Sequence, residues 1–160
     1  MRRYLRRGKE TEMIYLRNFE YCDAKELQTR KYVDKTIDEI KSMIDDMNTK
    51  TYHNLYFEMF GIFDDNHLIG MVSLQEHSKT VISCGPEIFE EYRRKGYGCM
   101  AVNRALEISK EKGYKIASAQ IRTDNIASIA LHNKLGFETN GYLYKNRKDR
   151  EVVICLKALF

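Results

Sequence analysis

The densest group of residues that could do chemistry lies in Glu90–Ala101, where Gly96 and Gly98 directly follow the cations Arg93–Lys95. Glycine lets the backbone approach a ligand closely, and the first N–H groups of a helix have no partner within the helix. Those N–H groups, the helix dipole and nearby cations can together bind phosphate or pyrophosphate. The segment therefore predicts an anion site at the start of a helix, although a tight loop with solvated cations would have the same composition.

Three phosphate-binding motifs compete for this segment. The P-loop pattern Gly-x-x-x-x-Gly-Lys-Ser/Thr occurs nowhere in the chain. Residues 96–101 match the dinucleotide pattern Gly-x-Gly-x-x-Ala. That pattern requires an apolar strand running into the first glycine and an acidic residue about 20 positions later. Polar and charged residues precede the glycine here, and the later position is Ser118, so nicotinamide binding is disfavoured.

The third motif fits, and it resembles a known family. Arg93-x-x-Gly96-x-Gly98 resembles the Arg/Gln-x-x-Gly-x-Gly/Ala signature of the GNAT superfamily of N-acyltransferases. The segment from Asn125 to Phe137 is similar to the second motif of that family, Asn-x-x-Ala/Ser-x-x-Leu-Tyr-x-x-Leu-Gly-Phe. One predicted helix and one predicted strand separate the two motifs, as in the family. Each motif alone would be a modest signal, whereas the pair is specific.

This resemblance implies a site for acetyl-CoA as co-substrate, with no metal. In the family, backbone N–H groups of the glycine loop hold the pyrophosphate. The matching residues here are Arg93, Arg94, Lys95, Gly96, Tyr97 and Gly98. The strand before the loop splays from its neighbour and binds the pantetheine arm, a role that falls here to Ile88 and Phe89. Asn125 matches an asparagine near the same arm.

The implied reaction is direct attack of a neutral primary amine on the thioester carbonyl. It needs help in removing a proton from the amine, in stabilising the oxyanion and in protonating the departing thiolate. The resemblance assigns the oxyanion to a main-chain N–H near Ile88 or Phe89. His132 stands where many members have a tyrosine, and an imidazolium could protonate the thiolate. The alternative for His132 is a helix-surface residue, and Tyr142 and Tyr144 are substitute acids.

The general base departs from the family pattern. Glu87 beside the splaying strand is the preferred base, with Glu58, Glu76 and His77 as further candidates. In one branch, the protein N-terminal acetyltransferases, a glutamate serves as base at the position of Gln120, which cannot accept a proton. We therefore predict an N-acetyltransferase acting on a small-molecule or peptide amine. The alternatives are a non-catalytic acyl-CoA sensor on the same fold and a nucleic-acid-binding protein.

The elements that must position these residues follow the order βααββ–β–α–β–α–ββ, by hydrophobic periodicity and turn residues. We expect a mixed α/β fold with a mostly antiparallel sheet of six to seven strands, about four helices and splayed central strands. Gly85 and Pro86 interrupt the strand before the glycine loop and indicate a bulge or an unpaired edge. The apolar stripe of residues 37–47 predicts a helix packed on the core or covering the acceptor site.

Charge and composition bound the remaining possibilities. The chain has 160 residues and a net charge of +4, but residues 1–9 hold five basic residues and no acidic one. We expect a basic extension over residues 1–12 and a single domain over residues 13–160. No apolar run approaches the ~20 residues of a membrane helix, and separated cysteines indicate reduced thiols in the cytoplasm. Expected partners are acetyl-CoA and an amine acceptor, a homodimer stays open, and neither membrane nor nucleic acid is expected.

Overall fold

A computed structural model describes residues 4–5 and 14–160. Its helices are α1 (Ala24–Arg30), α2 (Ile37–Asn48), α3 (Tyr97–Glu111) and α4 (Ile126–Lys134). Its longer strands are β2 (Ile14–Arg17), β4 (Leu55–Asp64), β5 (His67–Glu76), β6 (Val81–Ile88), β7 (Ile116–Arg122) and β10 (Glu151–Ala158). Two-residue strands are β1 (Tyr4–Leu5), β3 (Thr51–Tyr52), β8 (Glu138–Thr139) and β9 (Tyr144–Lys145).

The strands form one sheet in the order β1-β2-β4-β5-β6-β7-β10-β8, with β3 on β4 and β9 on β10. Within the described part of the chain, every pair is antiparallel except β6 and β7, which α3 connects as a crossover. The mixed, mostly antiparallel α/β fold with four helices is thereby confirmed. The expected six to seven strands correspond to the six longer ones, and the short strands are additions at the edges.

The parallel pair β6–β7 separates partway along its length. Pairing begins at Val81 with Ile116 and ends at Ser83 with Ser118. Beyond that point β6 stays paired with β5 as far as Ile88, while β7 stays paired with β10 as far as Arg122. The expected splay of the central strands is therefore present as a wedge-shaped gap in the sheet.

Helices cover the two faces of the sheet, each over its own apolar cluster. One cluster joins α3 and α4 to the inward side chains of β6, β7 and β10. It includes Ala101 and Ala105 of α3, Cys84 of β6 and Ala119 of β7. The other joins α1 and α2 to β4 and β5 and includes Ile40 and Ile44. The stripe along α2 is thus core. Burying these side chains contributes roughly 25 cal/mol per Å² of apolar surface, which holds both layers on the sheet.

Local signals account for most helix boundaries. Thr36 and Glu39 form a capping box at the start of α2. The cap of α4 is Asn125, whose Oδ1 accepts a hydrogen bond from the Ser128 N–H at 3.2 Å. Asp23 precedes α1 without capping it, because its carboxylate is bound by Arg17 at 2.7 Å.

Part of the predicted N-terminal extension belongs to the sheet. Tyr4–Leu5 pairs with Tyr15 and Leu16 as the edge strand β1. The five basic residues of the extension lie outside the described residues.

Candidate active site

The gap in the sheet exposes main-chain groups of β6. Phe89 donates its N–H to the Ile69 carbonyl at 2.9 Å, which continues the β5–β6 ladder beyond β6. Because antiparallel pairs alternate, the N–H and C=O of Ile88 then point away from β5, into the gap. Pro86 occupies an equivalent position, where its missing N–H leaves no donor unpaired. Buried, unpaired main-chain groups are costly, so a strand edge of this kind is suited to a ligand.

The register of β5 on β6 is unbroken through Gly85 and Pro86. Of the two sequence interpretations, the bulge is therefore wrong and the unpaired edge is correct. A close approach at the end of the pair requires glycine in β5, because a Cβ on Gly70 would lie 2.2 Å from the Glu87 carbonyl oxygen. Gly70 thus fixes the position of the last β6 residues beside the gap.

The glycine loop leads from the end of β6 into α3. Arg94 and Gly96 have positive φ angles of 64° and 83°, so the chain turns sharply twice within three residues. Gly96 is the N-cap of α3 and has no side chain with which to cap it. The N–H groups of Tyr97, Gly98 and Cys99 have no partner within the helix by its geometry. They are the donors that an anion at this end of α3 would find.

Three cations surround this helix end. Arg94 and Lys95 are exposed, and the Lys95 ammonium lies 5.8 Å from the centre of the Tyr92 ring. The Arg93 Nε donates to the Ile88 carbonyl at 2.8 Å, which ties the loop to the gap. Tyr97 is buried and donates its hydroxyl to Asp64 at 2.5 Å, so the first turn of α3 is anchored on the sheet.

Gly98 has a different role from Gly96. A Cβ on Gly98 would lie 3.7 Å from Ile88 Cγ1 and 3.8 Å from Leu131 Cδ2, which is ordinary packing. A Cβ on Gly96 would meet nothing within 4 Å. Gly96 therefore faces the open side of the loop, whereas Gly98 faces the junction of β6 with α4.

A cleft of about 540 Å³ passes through the sheet at the gap. On the face that α1 and α2 cover farther along the sheet, no helix residue lines the cleft, and we call this side the open face. It is lined by hydroxyl, amide and imidazole side chains, namely Ser73, Gln75, His77, Ser83, Ser118 and Gln120. On the face of α3 and α4 it is lined by Cys84, Pro86, Ala119, Ile121, Ser128 and His132. A thin ligand can thus lie between β6 and β7 with its two ends on opposite faces of the sheet.

His132 forms part of the cleft wall and is only 4% exposed, which excludes the alternative of a helix-surface histidine. Its Nδ1 lies 2.8 Å from the Ser128 carbonyl, which can only accept, so Nδ1 carries the proton. The Phe137 ring packs edge-on against the imidazole with centroids 4.9 Å apart. These contacts fix the ring and leave Nε2 as the nitrogen available to a ligand in the cleft.

The Leu-Gly-Phe end of the second motif explains how His132 is held. Gly136 has a positive φ of 86° and donates its N–H to the Asn133 carbonyl at 3.1 Å. Phe137 donates its N–H to the carbonyl of His132 at 3.0 Å. This pattern is a Schellman motif, which ends α4 and returns Phe137 to the histidine.

Cys84 is the cysteine on the cleft wall. Burial raises the pKa of its thiol to about 12, so the thiol stays protonated at neutral pH. A protonated thiol is a poor nucleophile, and Cys84 is therefore unsuited to accept an acyl group. The arrangement favours direct attack by an external nucleophile.

Glu87 lies on the opposite side of β6 from Pro86 and Ile88, because side chains alternate along a strand. Its carboxylate is ion-paired with Lys31 and lines a second cavity, of about 810 Å³, beside α1. Phe89 and Arg93 also line this cavity. Glu87 is thus the second-last residue of β6, and the Lys31 ammonium compensates the charge of its carboxylate.

Other sequence candidates lie outside the cleft or have structural partners. Tyr144 is in β9 and is 41% exposed. Because β10 lies between β9 and β7, Tyr144 is two strand spacings from β7, roughly 10 Å. Glu58 accepts from the Tyr56 hydroxyl at 2.9 Å, and Glu76 accepts from the Tyr114 hydroxyl at 3.0 Å. His77 lies on the cleft wall, with Nε2 2.9 Å from the Ser83 hydroxyl.

Sequence reasoning missed the small polar residues of the open face, such as Ser73, Ser83 and Ser118. Their alternation with apolar neighbours along β5, β6 and β7 was the available signal. It also missed that Ser128, four residues before His132, holds the imidazole.

Comparison with known proteins identifies relatives of this arrangement. The sequence model described as Acetyltransferase (GNAT) family matches residues 15–137. An L-methionine sulfoximine/L-methionine sulfone acetyltransferase of Pseudomonas paraeruginosa (strain DSM 24068 / PA7) is 35% identical over 54 residues, which are 34% of this chain and 31% of that protein. The match thus spans about a third of that relative's length.

Solved structures share the whole fold. The Microcin C7 self immunity acetyltransferase MccE, solved in complex with acetyl-CoA and AMP, has a TM-score of 0.75, 19% identity and coverage of 93% of each chain. The Salmonella typhimurium acetyl transferase that modifies the N-terminal serine of ribosomal protein L7/L12 has a TM-score of 0.76 and 15% identity, with coverage of 94% of this chain and 97% of that one.

Two properties of the described residues bear on other classes of function. None of their helices has the length and apolar character needed to span a membrane. Their histidine, cysteine and carboxylate side chains form no group of three placed to hold a metal ion.

Proposed function

The chain belongs to the acetyltransferase (GNAT) family, and we propose that it transfers the acetyl group of acetyl-CoA to a primary amine at the gap between β6 and β7. Membership of the family makes the protein an acyltransferase. The observation that carries the proposal is the cleft through the sheet, with unpaired β6 main chain on one side and His132 on its wall.

The glycine loop supports binding of the cofactor's pyrophosphate. The N–H groups of Tyr97 and Gly98 and the dipole of the 15-residue helix α3 favour an anion at this end. Arg94 and Lys95 supply positive charge, and Gly96 leaves the approach open because it has no side chain. Asn125 caps α4 through its Oδ1, so its amide Nδ2 is the group that it can still offer to the pantetheine arm.

The gap supports positioning of the thioester. A pantetheine arm between β6 and β7 would meet the N–H of Ile88 on the β6 side, whose carbonyl already accepts a hydrogen bond from Arg93. The Ile88 N–H points away from β5 and is our proposed donor to the carbonyl oxygen, where negative charge develops during attack. The polar open face of the cleft then receives the amine.

The reaction proceeds in one displacement. The lone pair of the neutral amine forms a bond to the thioester carbon, and the oxyanion accepts a hydrogen bond from the Ile88 N–H. The carbon–sulfur bond then breaks as the carbonyl re-forms, and the amine proton leaves to solvent on the open face. The thiolate takes a proton from Nε2 of the His132 imidazolium, while Nδ1 stays hydrogen-bonded to the Ser128 carbonyl. A proton from solvent then restores the imidazolium for the next turnover.

Substitution of His132 tests this role. His132→Phe keeps an aromatic ring against Phe137 but removes the proton donor, and we expect kcat to fall about 100-fold with unchanged affinity for acetyl-CoA. His132→Tyr restores the residue common in the family and should retain most of kcat. The assay is release of coenzyme A thiol with a panel of amines, and circular dichroism monitors folding. Equal kcat for His132→Phe and wild type would exclude the role.

A second function on the same fold is a non-catalytic acyl-CoA sensor. The absence of the family tyrosine and of a glutamate at Gln120 motivates this alternative. The enclosed position of His132 favours catalysis, and turnover decides between the two: a sensor binds acetyl-CoA but releases no thiol with any amine. We further propose a cytoplasmic location, which the free state of Cys22, Cys84, Cys99 and Cys155 supports.

A further inference from the structure

A basic cavity adjoins the cleft on the open face of the sheet. It has a volume of about 670 Å³ and is lined by Gln120 and by cationic side chains of β7 and of the β9–β10 turn. These cations are Arg122, Lys145, Arg147, Lys148 and Arg150. No carboxylate is among the residues that line it. We call it the basic pocket.

Gln120 connects the basic pocket to the cleft, because it lines both cavities. Gln120 and Arg122 are two residues apart on β7, so they share a face and are separated by about 7 Å. An amine held at the gap would therefore have the nearest cation of the basic pocket roughly 7–10 Å away along β7.

The positive charge of the basic pocket is only partly compensated. Arg122 is paired with Asp124 at 3.0 Å, and Lys145 with Asp149 at 3.7 Å. Arg147, Lys148 and Arg150 have no ion pair among the residues that the structure describes. These three cations share one four-residue turn with a single carboxylate, Asp149, which is paired with Lys145. They repel one another, and an anionic ligand would relieve that repulsion.

The turn that carries these cations is held in shape by Asn146. The Asn146 side-chain oxygen accepts from the N–H groups of Lys148 at 3.0 Å and Arg150 at 2.9 Å. The Asn146 N–H donates to the Arg150 carbonyl at 2.9 Å. The backbone of the three cations is thus fixed before any ligand binds, which lowers the entropic cost of binding.

We propose that the acceptor amine also carries an anionic group, a carboxylate or a phosphate, which the basic pocket binds while the amine reaches the gap. This inference rests on the proposed acetyl transfer and adds the chemical class of the acceptor. Arginine forms paired hydrogen bonds with either anion, which accounts for Arg147 and Arg150. A polycationic amine such as spermidine would be repelled by the same charges.

Matched pairs of acceptors test the proposal. The probes are 6-aminohexanoate against 6-aminohexanamide, and 5-aminopentyl phosphate against 5-aminopentanol, with spermidine as a polycation. We expect kcat/KM for each anionic member to exceed that of its neutral partner at least tenfold. The ratio should fall as salt is added, because exposed charges are screened.

Charge-removal variants locate the effect. Arg147→Gln/Arg150→Gln should bring the ratio close to one and leave kcat/KM of the neutral member unchanged. Lys79→Gln/Lys110→Gln removes the same charge from exposed positions outside the basic pocket and should preserve the ratio. Equal kcat/KM within each pair for the wild-type protein would overturn the proposal, as would an equal effect of the two double variants.

Binding separates this inference from the proposed function. If no amine is acetylated, the proposed function fails, and calorimetry with coenzyme A-saturated protein measures the basic pocket alone. Tighter binding of the anionic members, lost in Arg147→Gln/Arg150→Gln, would then still support the pocket, and equal binding would overturn it. Salt-dependent RNA binding lost in that variant, with no acceptor preference, would identify a nucleic-acid surface and also overturn the proposal.

Discussion

Replacing Gly96 by valine should separate ligand binding at the glycine loop from the stability of the fold. Gly96 has a φ of 83°, so a residue with a side chain is strained there by about 2 kcal/mol. Apart from its neighbours in the chain, no atom of the described residues lies within 4 Å of the added Cβ, so strain is the main effect expected on the protein alone. The melting temperature should fall by about 4–8 °C.

Gly113 provides a matched control at the opposite end of α3. Its φ is 96°, and a Cβ there would also meet nothing within 4 Å. Gly113→Val should therefore lower the melting temperature by a similar amount, while Gly113 is remote from the loop because 15 residues of helix separate the two glycines. The two variants differ only in which end of α3 they alter.

Affinity for acetyl-CoA should distinguish the two variants. In Gly96→Val we expect the valine side chain to displace the pyrophosphate from the N–H groups of Tyr97 and Gly98. Loss of two such charge-assisted hydrogen bonds costs about 3 kcal/mol, which corresponds to more than a 100-fold rise in Kd for acetyl-CoA. Gly113→Val should bind as wild type. Calorimetric titration with acetyl-CoA measures both, and the milder pair Gly96→Ala and Gly113→Ala serves if valine prevents folding. Wild-type affinity in Gly96→Val, or an equal loss in Gly113→Val, would refute a pyrophosphate site at this loop.

Three further outcomes follow from the geometry. Gly70→Ala should lower the free energy of unfolding by about 1–3 kcal/mol and weaken acetyl-CoA binding, because its Cβ would lie 2.2 Å from the Glu87 carbonyl oxygen. Gly85→Ala is the milder control in both measurements, because its Cβ would lie 3.2 Å from the Ser73 hydroxyl. Cys84→Ser should keep kcat within about threefold, since burial raises the pKa of the thiol to about 12, and acetylated Cys84 in a mass spectrum would contradict direct transfer. Burial and the bond to Glu76 raise the pKa of Tyr114 to about 12 from 10.0. The folded protein therefore keeps a proton that the unfolded chain loses above pH 10, so the free energy of unfolding should fall between pH 10 and 12. The fall should be smaller in Tyr114→Phe. Equal dependence of the free energy of unfolding on pH in the two proteins, measured by urea denaturation, would exclude this contribution of Tyr114.

The local order of the elements was predictable because local physics determines it. Glycine and the capping residues end and begin helices, so α2, α3 and the β4–β5 hairpin appear in their predicted order. The family motifs likewise depend on local chemistry, since the glycine loop and the end of α4 are each built from residues a few positions apart.

Side-chain roles were less predictable because they depend on partners far away in sequence. Glu87 stays the predicted base, but its ion pair with Lys31 of α1 does not follow from its position in β6. Tyr144 was a candidate acid, and β10 holds its strand away from the gap. Both outcomes depend on which elements are neighbours in the sheet, which no local spacing determines.

The glycine loop with its three cations, the second motif ending in Leu-Gly-Phe and the elements that connect them can be read directly from the chain. The separation of β6 and β7 after three pairs appears only when the strands are assembled into the sheet. The same holds for His132 on the wall of the cleft and for the cations of the β9–β10 turn beside it. Periodicity and capping act over a few residues, whereas a gap in a sheet arises because two strands keep their other neighbours.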